Sequence, residues 1–195
     1  MPRRYTLGKR AETKQETRAR IIAAALELIR DGGSAAATTL AVARAADVAP
    51  GTIANHFPGS GALVAAVADL ALANLRMPDP SLFGGTDDPI ERVERLAREL
   101  AAFFERSEAW WRIFAGDPVL SAGSAGTEAR FDEELDDLIR AALGPVAADD
   151  VAYAVVATVI GPPAFIGLRS RGIPYDQAAE VAIALIRPWL ASRLA

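Results

Sequence analysis

Residues 38–57, TTLAVARAADVAPGTIANHF, constrain this chain more than any other stretch. Two short helical runs flank Asp47-Val48-Ala49, a gap with room only for a tight turn. Thr38 or Thr39 offers a hydroxyl to cap a helix running to about Ala46. Pro50 suits the first position of the second helix, where its missing N–H costs nothing. That helix ends near Phe57-Pro58-Gly59. Paired short helices at a tight turn form a helix-turn-helix. Val42 and Ala43 would pack against Ile53, with Ala46 and Val48 filling the angle. The second helix would then turn Pro50, Gly51, Thr52 and Asn55 toward a major groove. Thr and Asn hydrogen-bond bases or phosphates, and Asn can pair with adenine through two bonds. Backbone N–H groups at a helix start grip phosphates. Geometry alone leaves open both a DNA reader and a plain helical hairpin.

Charge is distributed unevenly around this motif. Residues 1–60 carry nine bases against five acids, a net of +4, while the remainder carries twelve against twenty, a net of −8. A basic first third on an acidic body suits a polyanion-binding end. The stretch Pro2-Arg3-Arg4-Tyr5-Thr6-Leu7-Gly8-Lys9-Arg10 reads either as an arm reaching a minor groove or as a loose tail.

Helical periodicity dominates the chain. Thr13-Lys14-Gln15-Glu16 has the form of a capping box, with Thr17 a second start. Ile21, Ile22, Ala25, Leu28 and Ile29 follow at the spacing of one helix face. Gly32-Gly33 ends that helix. A further helix runs from Ser60 or Gly61 to about Arg76. Met77 to Pro89 reads as a loop. Beyond it the sequence predicts helices from Pro89 to about Ser107, around Glu108 to Ala115, and from about Thr127 to Leu143. Gly116 to Gly126 reads as a flexible loop between them. Val151 to Leu168 is uncharged and reads as a buried helix that Gly161-Pro162-Pro163 must interrupt. Its length approaches a membrane span, but the Gly-Pro-Pro break argues against one. The last helix runs from about Asp176 to Arg193, with Pro188 expected to bend it. The fold class is therefore all-α: a small basic three-helix unit carrying the helix-turn-helix pattern over 1–60, then a larger acidic helical unit over 61–195.

Residues 17–63 resemble the N-terminal domain of TetR-type (tetracycline-repressor-like) transcriptional regulators. The matching residues are Thr17-Arg18, Ile22, Ala25-Leu26-Glu27-Leu28, Gly32, Thr39, Val42-Ala43, Val48, Pro50-Gly51-Thr52-Ile53, His56-Phe57 and Leu63. Gly161-Pro162, Arg169, Gly172 and Pro174 carry a looser likeness in the second half. The resemblance implies an all-helical homodimer that represses transcription and leaves its operator when a small molecule binds the C-terminal domain. It implies DNA contacts at Arg18, Thr39, Pro50, Gly51, Thr52, Asn55, His56 and Ser60. The chain departs from the family where Asp47 replaces a usual Gly, Ala49 a capping Ser, Ala54 a Tyr and Ser60 a Lys. These departures favour, as an alternative, a helical sensor with weak or lost operator binding.

In the larger domain Phe103, Phe104, Trp110, Trp111, Phe114, Phe131, Tyr153 and Phe165 read as the lining of an apolar ligand pocket, or as plain core. Arg112, Thr158 and Tyr153 could supply its polar groups. The chain has no cysteine and a single histidine, His56. That composition argues against cysteine or histidine metal sites and against a Ser-His-Asp triad, so neither a cofactor nor an enzyme is expected. The polar N-terminus lacks the apolar core of a secretory signal, which predicts a cytoplasmic protein. The last two helices carry more apolar surface, including Ala182, Leu185, Ile186 and Trp189, than one subunit can cover. They are the expected homodimer face. The expected partners are a double-stranded DNA operator, a small apolar ligand and a second copy of the chain, without a membrane.

Overall fold

A computed structural model describes residues 3–194, without the side chains of residues 3–11, 72, 74, 75, 114 and 115. The described residues form helices and connecting turns, with no strand among them. The helices are α1 (Arg3–Ala36), α2 (Thr39–Ala45), α3 (Pro50–His56), α4 (Ser60–Leu75), α5 (Pro89–Gly116), α6 (Pro118–Leu143), α7 (Asp150–Ile160), α8 (Pro162–Arg169) and α9 (Tyr175–Leu194). Single 3-10 turns occupy Pro80–Phe83 and Gly144–Ala148. The all-α reading is correct. The chain divides into two compact units, residues 1–74 with 109–128, and residues 75–108 with 129–195.

Three boundaries differ from the sequence reading. The helix expected to start at Thr13 or Thr17 begins at Arg3, and the Thr17 hydroxyl donates to the Thr13 carbonyl inside it at 2.8 Å. Its regular part does stop at Gly32-Gly33, where Gly33 takes φ 68°, a conformation glycine adopts without cost. The expected break after Ser107 is absent, because its buried hydroxyl donates back to the Phe103 carbonyl at 2.8 Å and α5 runs on.

The largest correction concerns Gly116 to Gly126. Most of this stretch is the first part of α6, and it is not a loop. Asp117 accepts the N–H of Val119 at 2.9 Å and of Leu120 at 3.3 Å, and Pro118 takes the first helical position. That is a regular N-terminal cap. Gly123 is there for close packing: a Cβ on it would lie 2.4 Å from Cγ1 of Val64 on α4. The Thr127 hydroxyl bonds Asp69 Oδ1 at 2.6 Å along the same seam. In the sequence Gly123 reads as a flexible position; in the fold it marks where α6 and α4 touch.

In the first unit Ile21, Ala25 and Ile29 of α1, Val42 and Ala43 of α2, Ile53 of α3 and Val67 and Ala71 of α4 share one core with Leu120 of α6. In the second unit, the stretch Asp150–Arg169 is long and apolar enough to cross a membrane. It is nevertheless broken at Gly161 into helices of 11 and 8 residues. Each is too short to span the ~30 Å hydrocarbon core alone. The α9 helix continues through Pro188.

Candidate nucleic-acid interface

The paired short helices form as their caps dictate. Thr38 Oγ1 accepts the Ala41 N–H at 3.2 Å, closing the first turn of α2. Asp47 makes the turn with φ 51°, a left-handed position that Asp tolerates better than most residues. Val48 N–H donates to Ala43 O at 3.0 Å, and Thr52 N–H donates to Ala49 O at 2.8 Å. Ala49 gives α3 no side-chain cap, and Pro50 opens it.

α3 buries one residue, Ile53, whose exposure is 5%. Pro50, Gly51, Ala54 and Asn55 are exposed, and Thr52 and His56 are half-buried. At 3.6 residues per turn Gly51 and Asn55 stand on the face opposite Ile53. Nothing lies within 4 Å of where a Gly51 Cβ would be. The protein's own packing therefore does not require glycine at that position.

At the other end of α3, Phe57 is buried to 3% exposure and Arg18 of α1 lies over its ring, the guanidinium carbon 5.0 Å from the centroid. The stack holds a fixed positive charge near the helix C-terminus, where the macrodipole favours one. The His56 and Phe57 ring centres are 6.4 Å apart. Thr39 and Ser60 are exposed at the first residues of α2 and α4. All eight sequence-chosen DNA residues thus lie in the first unit, and none of them is part of its core. The arm's side chains lie outside the described residues.

The aromatic set is divided between the two units: Trp110, Trp111 and Phe114 belong to the first, and Phe103, Phe104, Phe131, Tyr153 and Phe165 to the second. Phe103, Phe104, Phe131 and Phe165 are at most 2% exposed and pack ring against ring. Phe103 stacks on Phe131 at 5.8 Å, and Phe104 meets Phe103 and Phe165 at 5.5 Å each. Trp110 is half-buried against the core of the first unit. Trp111 is half-buried, and the Phe114 side chain lies outside the described residues. Tyr153 is half-buried beneath Arg140, 4.1 Å from the guanidinium carbon to its ring centre. The Thr158 hydroxyl donates to the Ala154 carbonyl at 2.7 Å, so its hydrogen is used within α7. Among the described residues no acidic or histidine cluster could hold a metal ion.

The last helices do leave apolar surface uncovered. Leu185 is 64% exposed and Val151 54%. A groove of about 390 Å³ lies within the second unit, between Val159, Pro163, Leu168, Val181 and Leu185. The expected α9 stripe divides: Ala182 and Ile186 are buried within the unit, Leu185 faces outward and Trp189 is half-buried.

Residues 21–67 match the family model for bacterial regulatory proteins, tetR family. No curated protein matches the sequence. Among solved structures, the chain is similar to multidrug binding protein EbrR complexed with imidazole, at TM-score 0.63 and 23% identity over 88% of each chain. The EbrR complex with proflavin gives 0.57 and 24%, over 87% of this chain and 97% of that one. A protein assigned to the tetR family of transcription regulators, from Shewanella sp. PV-4, gives 0.52 and 16%, over 88% and 96%. At these identities the likeness is one of fold, and it extends beyond the segment that the family model covers.

Proposed function

We propose that this chain is a ligand-responsive transcriptional repressor that binds its operator as a homodimer, a reading supported by the match of residues 21–67 to the tetR-family model. The observation that carries the reading is the outward face of α3. One residue anchors the helix, Pro50, Gly51 and Asn55 are exposed, and Gly51 has open space around it. A bare backbone at a helix start suits close approach to a phosphate or base edge. Thr52 and Asn55 read sequence. Arg18, Thr39, His56 and Ser60 contact backbone phosphates around them.

Functionally, 1–60 is the DNA-reading domain and 61–195 the ligand-binding and dimerisation domain. The exposed Val151 and Leu185 belong to the dimer face. A two-fold axis there pairs like patches and sets the recognition helices about 34 Å apart, or a multiple of it. The larger domain binds a small apolar molecule. The buried Phe103, Phe104, Phe131 and Phe165 form a rigid wall for it, and Trp110, Trp111, Phe114 and Tyr153 complete the aromatic set. The multidrug binding protein of similar fold was solved with proflavin and with malachite green, which makes these dyes apt probes.

Selection of bound duplexes from a random pool, followed by titration against salt, tests the reading. The expected result is a two-fold-related site whose affinity falls steeply with salt as counterions are released. Recovery of no preferred sequence, with a shallow salt slope, supports instead a helical sensor that has lost operator binding. Proflavin should quench tryptophan fluorescence saturably in the absence of DNA, and no saturable quenching would count against the ligand site.

A further inference from the structure

The first unit contains a cavity of about 210 Å³ beneath the recognition helix. Ile29, Ile53, Phe57, Val64 and Leu120 supply buried apolar walls, while Ala54 and Val119 are exposed at its edge. Its polar residues include Ser34, Thr39 and Ser60. The walls come from α1, α3, α4 and α6, so anything held there touches α3 and the helices that brace it together. We propose that this cavity is a second effector site, inside the DNA-reading unit, for a single aromatic ring bearing one hydroxyl, of the phenol class.

Size and polarity select that class. An apolar cavity of ~150 Å³ accepts benzene, so this volume takes one ring with a small substituent. Drug-sized ligands need ~300–1,000 Å³. The aliphatic walls and the Phe57 ring suit an aromatic body, and the edge hydroxyls suit one donor or acceptor on it. Thr39 and Ser60 also belong to the proposed phosphate contacts, so an occupant competes with DNA for them. That regulatory consequence rests on the DNA-binding reading, whereas occupancy of the cavity does not.

The test uses the full chain with methyl-labelled Ile, Leu and Val, titrated with phenol and followed by NMR. Saturable shifts are expected at Ile53, Leu63, Val64 and Val119. They should be lost in Ala54→Leu, which fills the cavity from α3, and independently in Val119→Phe, which fills it from α6. Absence of saturable shifts up to the solubility of phenol would overturn the site, as would shifts that persist in both variants. On the selected duplex, phenol should lower affinity at least about fivefold, the lower end of typical coupling. Saturable shifts with no change in duplex affinity overturn the regulatory role. Saturable shifts in a chain that binds no duplex even without phenol support the cavity and refute the repressor reading.

Discussion

Arg18 lies over the ring of Phe57 with its guanidinium carbon 5.0 Å from the centroid, tying the middle of α1 to the end of α3. An exposed cation–π pair of this kind contributes about 0.5–1 kcal/mol. The planar guanidinium keeps its charge beside α3. Arg18→Lys should preserve the charge while losing most of the stack. Arg18→Ala should weaken all duplexes alike and lower the salt slope by about one. Titrations at several salt concentrations check this, and a sequence-dependent loss would reassign Arg18 as a reader.

Asn55 and Thr52 should behave differently. Each Ala substitution should cost about 1–3 kcal/mol on the preferred duplex and relax preference at particular bases. Asn55 is exposed, so thermal stability should stay within about 0.5 kcal/mol. If Asn55→Ala leaves affinity and preference intact, α3 is not the reading helix.

Gly51 separates folding from function. With nothing within 4 Å of its would-be Cβ, Gly51→Ala should leave Tm unchanged or raised, because alanine is the better helix former. Duplex affinity should nevertheless fall if α3 is the reading helix, since the new methyl group would stand on its outward face. Equal losses of Tm and affinity would contradict an outward role for this glycine.

Asp117 gives a pH signature. Its carboxylate accepts the Ser34 N–H at 3.0 Å as well as those of Val119 and Leu120. Hydrogen bonding from Ser34, then from those two amides, holds its pKa below the usual carboxylate value. A depressed native pKa stabilises the fold above the unfolded value near 3.9 and is lost as pH falls through the native value. The stability gap between the wild type and Asp117→Asn should therefore be flat at neutral pH and shrink below about pH 4. Urea unfolding across pH measures it, and a gap that grows on acidification would contradict the assignment.

The four-phenylalanine cluster should act as core. Phe104→Ala should cost about 3–5 kcal/mol in denaturant unfolding, as large-to-small changes of buried rings do. Leu185→Glu should leave the fold intact and shift sedimentation to the monomer, because its side chain is 64% exposed. A dimer unchanged by that substitution would move the interface elsewhere.

The helix-turn-helix was legible because its signals are local. The Thr38 cap, Pro50 at the first position of α3 and the apolar Val42, Ala43 and Ile53 each act within a few residues. The interruption at Gly161-Pro162 was legible for the same reason. The continuity of α5 past Ser107 was hidden, since a serine hydroxyl either starts a helix or bonds back within one. The cavity under α3 drew on residues from 29 to 120, a spread that no sequence window shows.

The sequence by itself determined the all-helical class, the position of the two short helices and the residues on their outer face, because caps, proline and the 3.6-residue period are properties of neighbouring residues. Only the tertiary structure decided what Gly123, the aromatics and Ser107 do. Gly123 became a helix contact once Val64 lay against it, and Phe103, Phe104, Phe131 and Phe165 became one cluster once three helices had brought them together. Close packing joins residues far apart in the chain, and its outcome depends on the space their partners leave.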